Sequence, residues 1–358
     1  MYIYIHIPFC PHICSYCDFP KLLYNKKYIQ NYLASLKKEI ISRYKNEPVE
    51  SIYIGGGTPT SLDYNELEEL LNITNLFNKS PNLEFSIESN VELLTPAKIK
   101  LLKKYQVNRV SLGVQSFQPE ILQELNRNHT YNQTAEVIKN LKKENIYNIS
   151  IDLIYGVNSD INIIKKDLNT YLDLDIPHLS YYSLIIEENT IFGIRNREYI
   201  NEDIEYKMYK YITKTLTSNG YIHYETSNYC KKGYESRHNL NYWNNGSYYG
   251  FGLGAVSYIN KERQTNTKNL TKYLKNNYIE NIIKEDKNLQ ISNSLILGFR
   301  KIKGINILEF NKKYNTNILN LYNIAKLLDD NKLLIKDNYI YINPKYYYLS
   351  NEILINFV

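Results

Sequence analysis

Cys10, Cys14 and Cys17 lie in the run HIPFCPHICSYCDF with the spacing C-x3-C-x2-C. Three thiols within eight residues form a metal-ligating pattern. A four-iron cluster held by three thiolates keeps one iron without a protein ligand, and that iron can bind a small molecule. Zinc is the main rival. It would need a fourth ligand, which His6, His12 or Cys230 could supply, but structural zinc usually draws on two C-x2-C knuckles separated by a longer loop. Disulfide stapling does not fit: only four cysteines occur, and three of them are crowded together.

Two further motifs could bear on chemistry. Gly55-Gly56-Gly57-Thr58-Pro59-Thr60 lacks the Gly-Lys-Ser/Thr ending of a nucleoside-triphosphate loop. Three successive glycines still suit a place where backbone approaches a ligand closely, such as an amino-acid-like group. His238 stands beside Tyr242 and Trp243, the chain's only tryptophan. Imidazole can ligate a haem iron axially while aromatic faces pack on the macrocycle, so this cluster is a haem candidate with Cys230 as a second ligand. The ordinary readings are a hydrogen-bonded structural histidine and a small buried thiol. Gly250, Gly252 and Ala255 match G-x-G-x-x-A without the strand–turn–helix context of a dinucleotide site, and read as tight packing.

The elements that must position these residues alternate. Short β-type runs at residues 2–7, 51–54, 83–87, 109–114, 148–154 and 179–186 are separated by helical patterns at 28–44, 65–77, 95–105, 132–144 and 161–174. Six βα units fall two short of a closed eight-stranded barrel, so the expectation is a partial (β/α)6 barrel. The cysteines follow the first strand, the glycines the second, Glu88 ends the third, Gln115 ends the fourth, and Asp152 lies toward the end of the fifth. In parallel α/β folds the carboxyl ends of the strands form the functional face, so all five would line one mouth. After about residue 199 the rhythm changes. The expected division is 1–235 for the barrel and 236–358 for a smaller, mainly helical domain, with two helices and a hairpin turning at Asp337-Asn338 in a winged-helix order.

Bulk properties narrow the class. Net charge is +6, without a basic stripe, which argues against nucleic acid as a partner. Mean hydropathy is −0.45. No apolar run approaches the ~20 residues of a membrane span. With no basic leader before the cysteines, the expectation is a cytoplasmic protein.

The ordered runs YIHIPFCPHICSYCDF, GGGTPT, FSIESN, RVSLGVQSFQPEIL, SIDLIYG, YSLIIEENT, HNLNYW and GFGLGAVSY resemble the radical S-adenosylmethionine (radical SAM) superfamily. Within it they resemble the group related to oxygen-independent coproporphyrinogen III oxidase. The resemblance spans essentially the whole chain. It implies a [4Fe–4S] cluster on Cys10, Cys14 and Cys17 whose free iron chelates S-adenosylmethionine. By motif, Tyr4, Gly56, Gly57 and Thr58 would touch that cofactor, with Tyr16 packed near the cluster. Glu88 would take its amino group, Arg127 its carboxylate, and Gln115 and Asp152 its ribose hydroxyls. Two departures from the oxidase pattern stand out. Phe19 occupies the place of a fourth cysteine, and Cys10 stands almost at the N-terminus without a longer leading segment. Both match the HemW-like haem chaperones, which share the HNxxYW motif present here as His238 to Trp243. That resemblance implies haem binding and delivery to acceptor proteins, transient membrane-protein acceptors among them, an electron donor for the cluster, and leaves a homodimer open. The rival expectation is the oxidase itself, which converts propionates to vinyl groups by radical decarboxylation.

Overall fold

Alternation with a period of two decides what each strand faces. The computed structural model describes residues 1–358. It contains β1 (Tyr2–Ile7), α1 (Lys26–Arg43), β2 (Val49–Gly56), α2 (Tyr64–Ile73), β3 (Lys79–Asn90), α3 (Pro96–Lys104), β4 (Arg109–Gln115), α4 (Tyr131–Lys143), β5 (Asn148–Tyr155), α5 (Ile161–Asp173) and β6 (His178–Ser183). Ile3, Ile5, Ile52, Ile54, Phe85, Ile87, Val110, Leu112, Ile149 and Ile151 are buried completely beneath the helices. The opposite parity is polar: Tyr53, Glu88, Ser111, Ser150, Asp152, His178 and Ser180 face the concave side. Closed barrels usually fill that interior with branched aliphatic residues. Here the polar parity leaves it open for ligands.

Local sequence stops and starts the helices where the strands need them. Asp63 with Glu66 and Thr130 with Gln133 form capping boxes at α2 and α4, and Pro96 opens α3 behind the cap of Thr95. The strands β1 to β6 pair in parallel, in order, and the sixth does not return to the first. The barrel is therefore partial, as expected.

Beyond the barrel lie α6 (Glu202–Ser218), β7 (Ile222–Glu225), β8 (Asn228–Cys230), α7 (Arg237–Trp243), β9 (Tyr248–Phe251), β10 (Val256–Ile259), β11 (Glu262–Asn266) and β12 (Ile279–Lys284). β9 pairs in parallel with β1, and β10, β11 and β12 continue the same sheet, making twelve strands. Gly250 is tightly packed there: a Cβ would lie 2.0 Å from the Val256 carbonyl oxygen. The sheet thus runs through residue 284, across the division expected at 235. A second apolar core begins at Ile291 and ends at Phe357, separate from the core that spans Ile3 to Tyr273. It gathers α8 (Lys287–Gly298), β13 (Ile305–Asn306), α9 (Ile307–Tyr314), α10 (Ile324–Asp329), β14 (Leu333–Lys336) and β15 (Tyr339–Ile342). That order has the winged-helix outline. We propose that the independent C-terminal unit starts near residue 287, because the sheet ends at Lys284 and the second core begins on α8 at Ile291.

α7 sits at the N-terminal end of the partial barrel as a plug. The buried Glu84 carboxylate of β3 accepts the Arg237 and His238 backbone N–H groups, each at 3.0 Å, and Ser236 caps the helix through Asn239. A carboxylate at a helix N-terminus satisfies donors that have no partner within the helix and complements the helix dipole.

Candidate functional site

A cavity of about 570 Å3 runs from the cysteine loop down the concave face to Ser236 and Asn239 of the plug. Cys10, Cys14, Cys17, Tyr16, Gly56, Gly57, Thr58, Glu88, Gln115, Arg127 and Asp152 all border it. The eleven candidates thus share one chamber. Tyr4 does not border it; its hydroxyl is 3.0 Å from His6 Nδ1 and its ring stacks on Tyr53.

The glycine triplet makes room for side chains. A Cβ on Gly55 would lie 2.8 Å from the Glu88 carboxyl, one on Gly56 2.6 Å from the His6 ring, and one on Gly57 2.8 Å from Cys10 Sγ. Gly56 also adopts φ of 116°, which favours glycine. Each glycine thus seats a different neighbour. Gly57→Ala is expected to cost 1–3 kcal/mol by overpacking, since the Pro8 backbone blocks relaxation, and to lower iron retention after anaerobic reconstitution. Unchanged iron content and melting temperature would refute this.

Cys10 is buried, and burial pushes its thiol up to about 11 against a weaker lowering by the Thr58 hydroxyl 3.8 Å away. Cys14 and Cys17 are partly exposed. The three thiols border a shared space, which fits a multi-iron cluster.

The remaining polar groups fit an amino acid joined to a nucleoside. Glu88 accepts from Tyr53 Oη at 2.8 Å and from the Gly56 N–H at 3.0 Å. Burial nevertheless raises its carboxyl to about 7, against these two hydrogen bonds. A ligand ammonium group there would favour its ionised form. Arg127 is 8% exposed, and its Nε and Nη1 have no acceptor; Nη2 donates to Tyr16 Oη at 3.3 Å. An unsatisfied buried guanidinium beside the cavity fits a carboxylate. Asp152 accepts from Ser111 Oγ at 3.0 and 3.1 Å and faces Ser150 and Ser180 as well. Gln115 holds the left-handed backbone region, φ 69°, at an irregularity where β4 meets β5.

Tyr53, Arg109, Ser111, Ser150, His178, Ser180 and Tyr182 also line the chamber, and none stood out in the sequence. Their signal was parity: each lies on the face opposite the aliphatic residues of its strand.

The haem candidates lie elsewhere. His238 is 1% exposed, with Nδ1 2.9 Å from Ser51 Oγ and Nε2 2.9 Å from Tyr242 Oη. Burial pushes its imidazole down to about 3, so the ring is neutral. Tyr53 and Tyr2 pack on it at ring separations of 5.2 and 6.1 Å. Trp243 is half-buried with its indole toward Glu225. Cys230 is fully buried in β8, where burial pushes its thiol up to about 12. None of the four borders the cavity.

A six-stranded partial barrel with three thiols at its mouth and acceptors for an aminoacyl nucleoside defines the radical SAM class, and the profile described as the Radical SAM superfamily matches residues 4–165. Similarity extends to particular relatives over nearly the whole chain. The heme chaperone HemW of Lactococcus lactis subsp. lactis is 39% identical, covering 99% of this chain and 96% of that protein. HemW of Bacillus subtilis is 34% identical over 98% and 97%, and HemW of Escherichia coli 32% identical over 78% and 76%. The chain belongs to the HemW heme chaperone family. Among solved structures, coproporphyrinogen III oxidase (HemN) of Escherichia coli superposes with a TM-score of 0.87 over 99% of this chain and 89% of that one. At 20% identity this shows a shared fold. No helix is long and apolar enough to cross a membrane.

Proposed function

We propose that this chain binds haem in the cytoplasm and passes it to acceptor proteins, carrying a [4Fe–4S] cluster and S-adenosylmethionine in its barrel cavity. The observation that carries the reading is a cavity with three thiols at its mouth, a buried Glu88 carboxyl and Arg127 Nε and Nη1 without acceptors, in a chain similar to HemW along its whole length. When bound, such a cluster supplies an open iron and an electron able to cleave a sulfonium bond. The chain's own residues do the rest. Cys10, Cys14 and Cys17 give up thiol protons to hold the metal. Glu88 takes an ammonium group, Arg127 a carboxylate, and Asp152 and Gln115 a diol, while Gly56, Gly57 and Thr58 bring backbone close to the ligand. An electron donor would have to reach the cysteine loop, where Cys14 and Cys17 are partly exposed.

His238 is the proposed axial ligand, and the structure sets two conditions for that role: α7 must shift to open space beside a ring that is 1% exposed and borders no cavity, and Nε2 must exchange the Tyr242 hydroxyl for iron. Its neutral state favours ligation, since no proton has to leave. Tyr242→Phe should therefore bind haem at least as tightly as the parent, at a cost of about 1 kcal/mol of stability for the lost hydrogen bond. His238→Ala should lose the Soret band of the complex. An unchanged Soret spectrum and affinity in His238→Ala, with fold verified by circular dichroism, would leave His238 as an anchor of the plug only. The decisive experiment titrates haem into an anaerobic preparation and assays the same preparation for conversion of coproporphyrinogen III. Stoichiometric haem binding without conversion supports the chaperone reading; protoporphyrinogen above background replaces it with the oxidase.

A further inference from the structure

A chain of hydrogen bonds runs from Ser150, which lines the cavity wall beside Asp152, to the helix that carries His238. Ser150 Oγ lies 2.8 Å from His178 Nδ1. His178 Nε2 lies 2.8 Å from Tyr224 Oη, and Tyr224 Oη accepts from the Ser236 N–H at 3.3 Å. Ser236 is the N-cap of α7, its hydroxyl accepting from the Asn239 N–H at 3.3 Å. The links come from four separate elements, β5, β6, β7 and the start of α7, and His178 is 1% exposed.

The polarity of this chain is determined. Tyr224 Oη already accepts from Ser236, so its own proton needs an acceptor, and His178 Nε2 is the partner at hand. His178 then carries its proton on Nδ1 and donates to Ser150 Oγ, which frees the Ser150 hydroxyl proton for Ser180 Oγ at 3.4 Å or for the neighbouring Asp152 carboxylate. This tautomer is assigned from the network. The donors run one way, from the plug to Ser150. Asp152 also accepts from Ser111, and Ser180 Oγ stands 3.4 Å from Ser150 Oγ. A ligand hydroxyl that donates to Asp152 therefore competes with the Ser150 hydroxyl for the same oxygens, and Ser150 has Ser180 as an alternative acceptor.

We propose that His178 and Tyr224 are positioning residues that couple occupancy of Asp152 to the seating of α7, so that ligand in the barrel cavity sets how firmly the haem-motif helix is held. This rests on the reading of Asp152 as a cofactor contact made above. The geometry supplies connectivity, and coupling must be measured.

Trp243 makes the measurement simple. It is the chain's only tryptophan, it lies on α7, and its indole faces Glu225, the neighbour of Tyr224 on β7. The experiment titrates S-adenosylmethionine into the cluster-reconstituted, haem-free protein, following binding by calorimetry and Trp243 emission in parallel. The expected result is a saturable emission change in the parent with the same midpoint as binding. In Tyr224→Phe, which removes one hydroxyl and keeps the ring, affinity should stay within about threefold while the ligand-induced emission change falls by more than half. His178→Gln, checked for fold by circular dichroism, should behave likewise. Binding with a silent Trp243 in the parent, or an undiminished response in Tyr224→Phe, overturns the coupling. Absence of calorimetric binding in the parent instead overturns the underlying cofactor reading, and the two failures are therefore distinct.

Discussion

Replacing Arg127 by methionine is expected to raise the melting temperature of the cofactor-free protein and to weaken S-adenosylmethionine binding by about 100-fold or more. The two effects have one cause. Arg127 Nε and Nη1 are buried without an acceptor, and the side chain's single hydrogen bond goes to Tyr16. Burial of a cation with no anion in contact costs free energy that the more distant Glu92 carboxylate offsets only in part, and a methionine of similar length removes that cost. A ligand carboxylate would supply the missing partner, so binding energy is held in reserve until the site is filled. Differential scanning fluorimetry with and without ligand checks both halves. A parent protein that is already more stable than the variant when empty would show that Arg127 has a structural role instead.

Glu88 should make both stability and binding depend on pH, with opposite signs. Its carboxyl is raised from 4.5 to about 7, chiefly by burial, so between these values the folded state binds more protons than the unfolded one. Stability of the empty protein therefore falls as pH rises through this window. The loss is on the order of 2–3 kcal/mol, complete above pH ~7. Binding of an ammonium group needs the carboxylate and should strengthen over the same window. Glu88→Gln should flatten the stability profile, raise the stability of the empty protein at pH ~8, and abolish the pH dependence of binding. Urea unfolding and calorimetry at several pH values provide the test. A variant whose stability falls with pH as the parent's does would assign the dependence to another group.

Much of the cavity lining was legible in the sequence. The cysteines, the glycine triplet, Glu88, Gln115 and Asp152 belong to short runs at strand ends, and a parallel α/β fold brings strand ends together, whereas Arg127, beyond a short helix after β4, stood out only through the family motif. All six strands could be read because each carries an aliphatic parity to bury against helices. The small polar residues of the other parity were silent, since a serine in a strand reads the same whether it meets water, a ligand or a histidine. The run at 179–186 reads as a single strand, but β6 ends at Ser183, and beyond it Leu184, Ile185 and Glu187 form part of the cavity wall. Neither the pairing of β9 with β1 nor the beginning of the second core at Ile291 could be read from local pattern.

The sequence by itself offered the candidates: the spacing of three thiols in one short loop suggested a cluster, and the resemblance to the radical SAM superfamily implied the residues that would meet its cofactor. Only the tertiary structure decided how those groups are poised. Burial raised Glu88, isolated Arg127 and neutralised His238. It also set His178 and Tyr224 between the cofactor cavity and the plug. These are effects of desolvation and of contacts between elements far apart in the chain, and a one-dimensional pattern carries neither.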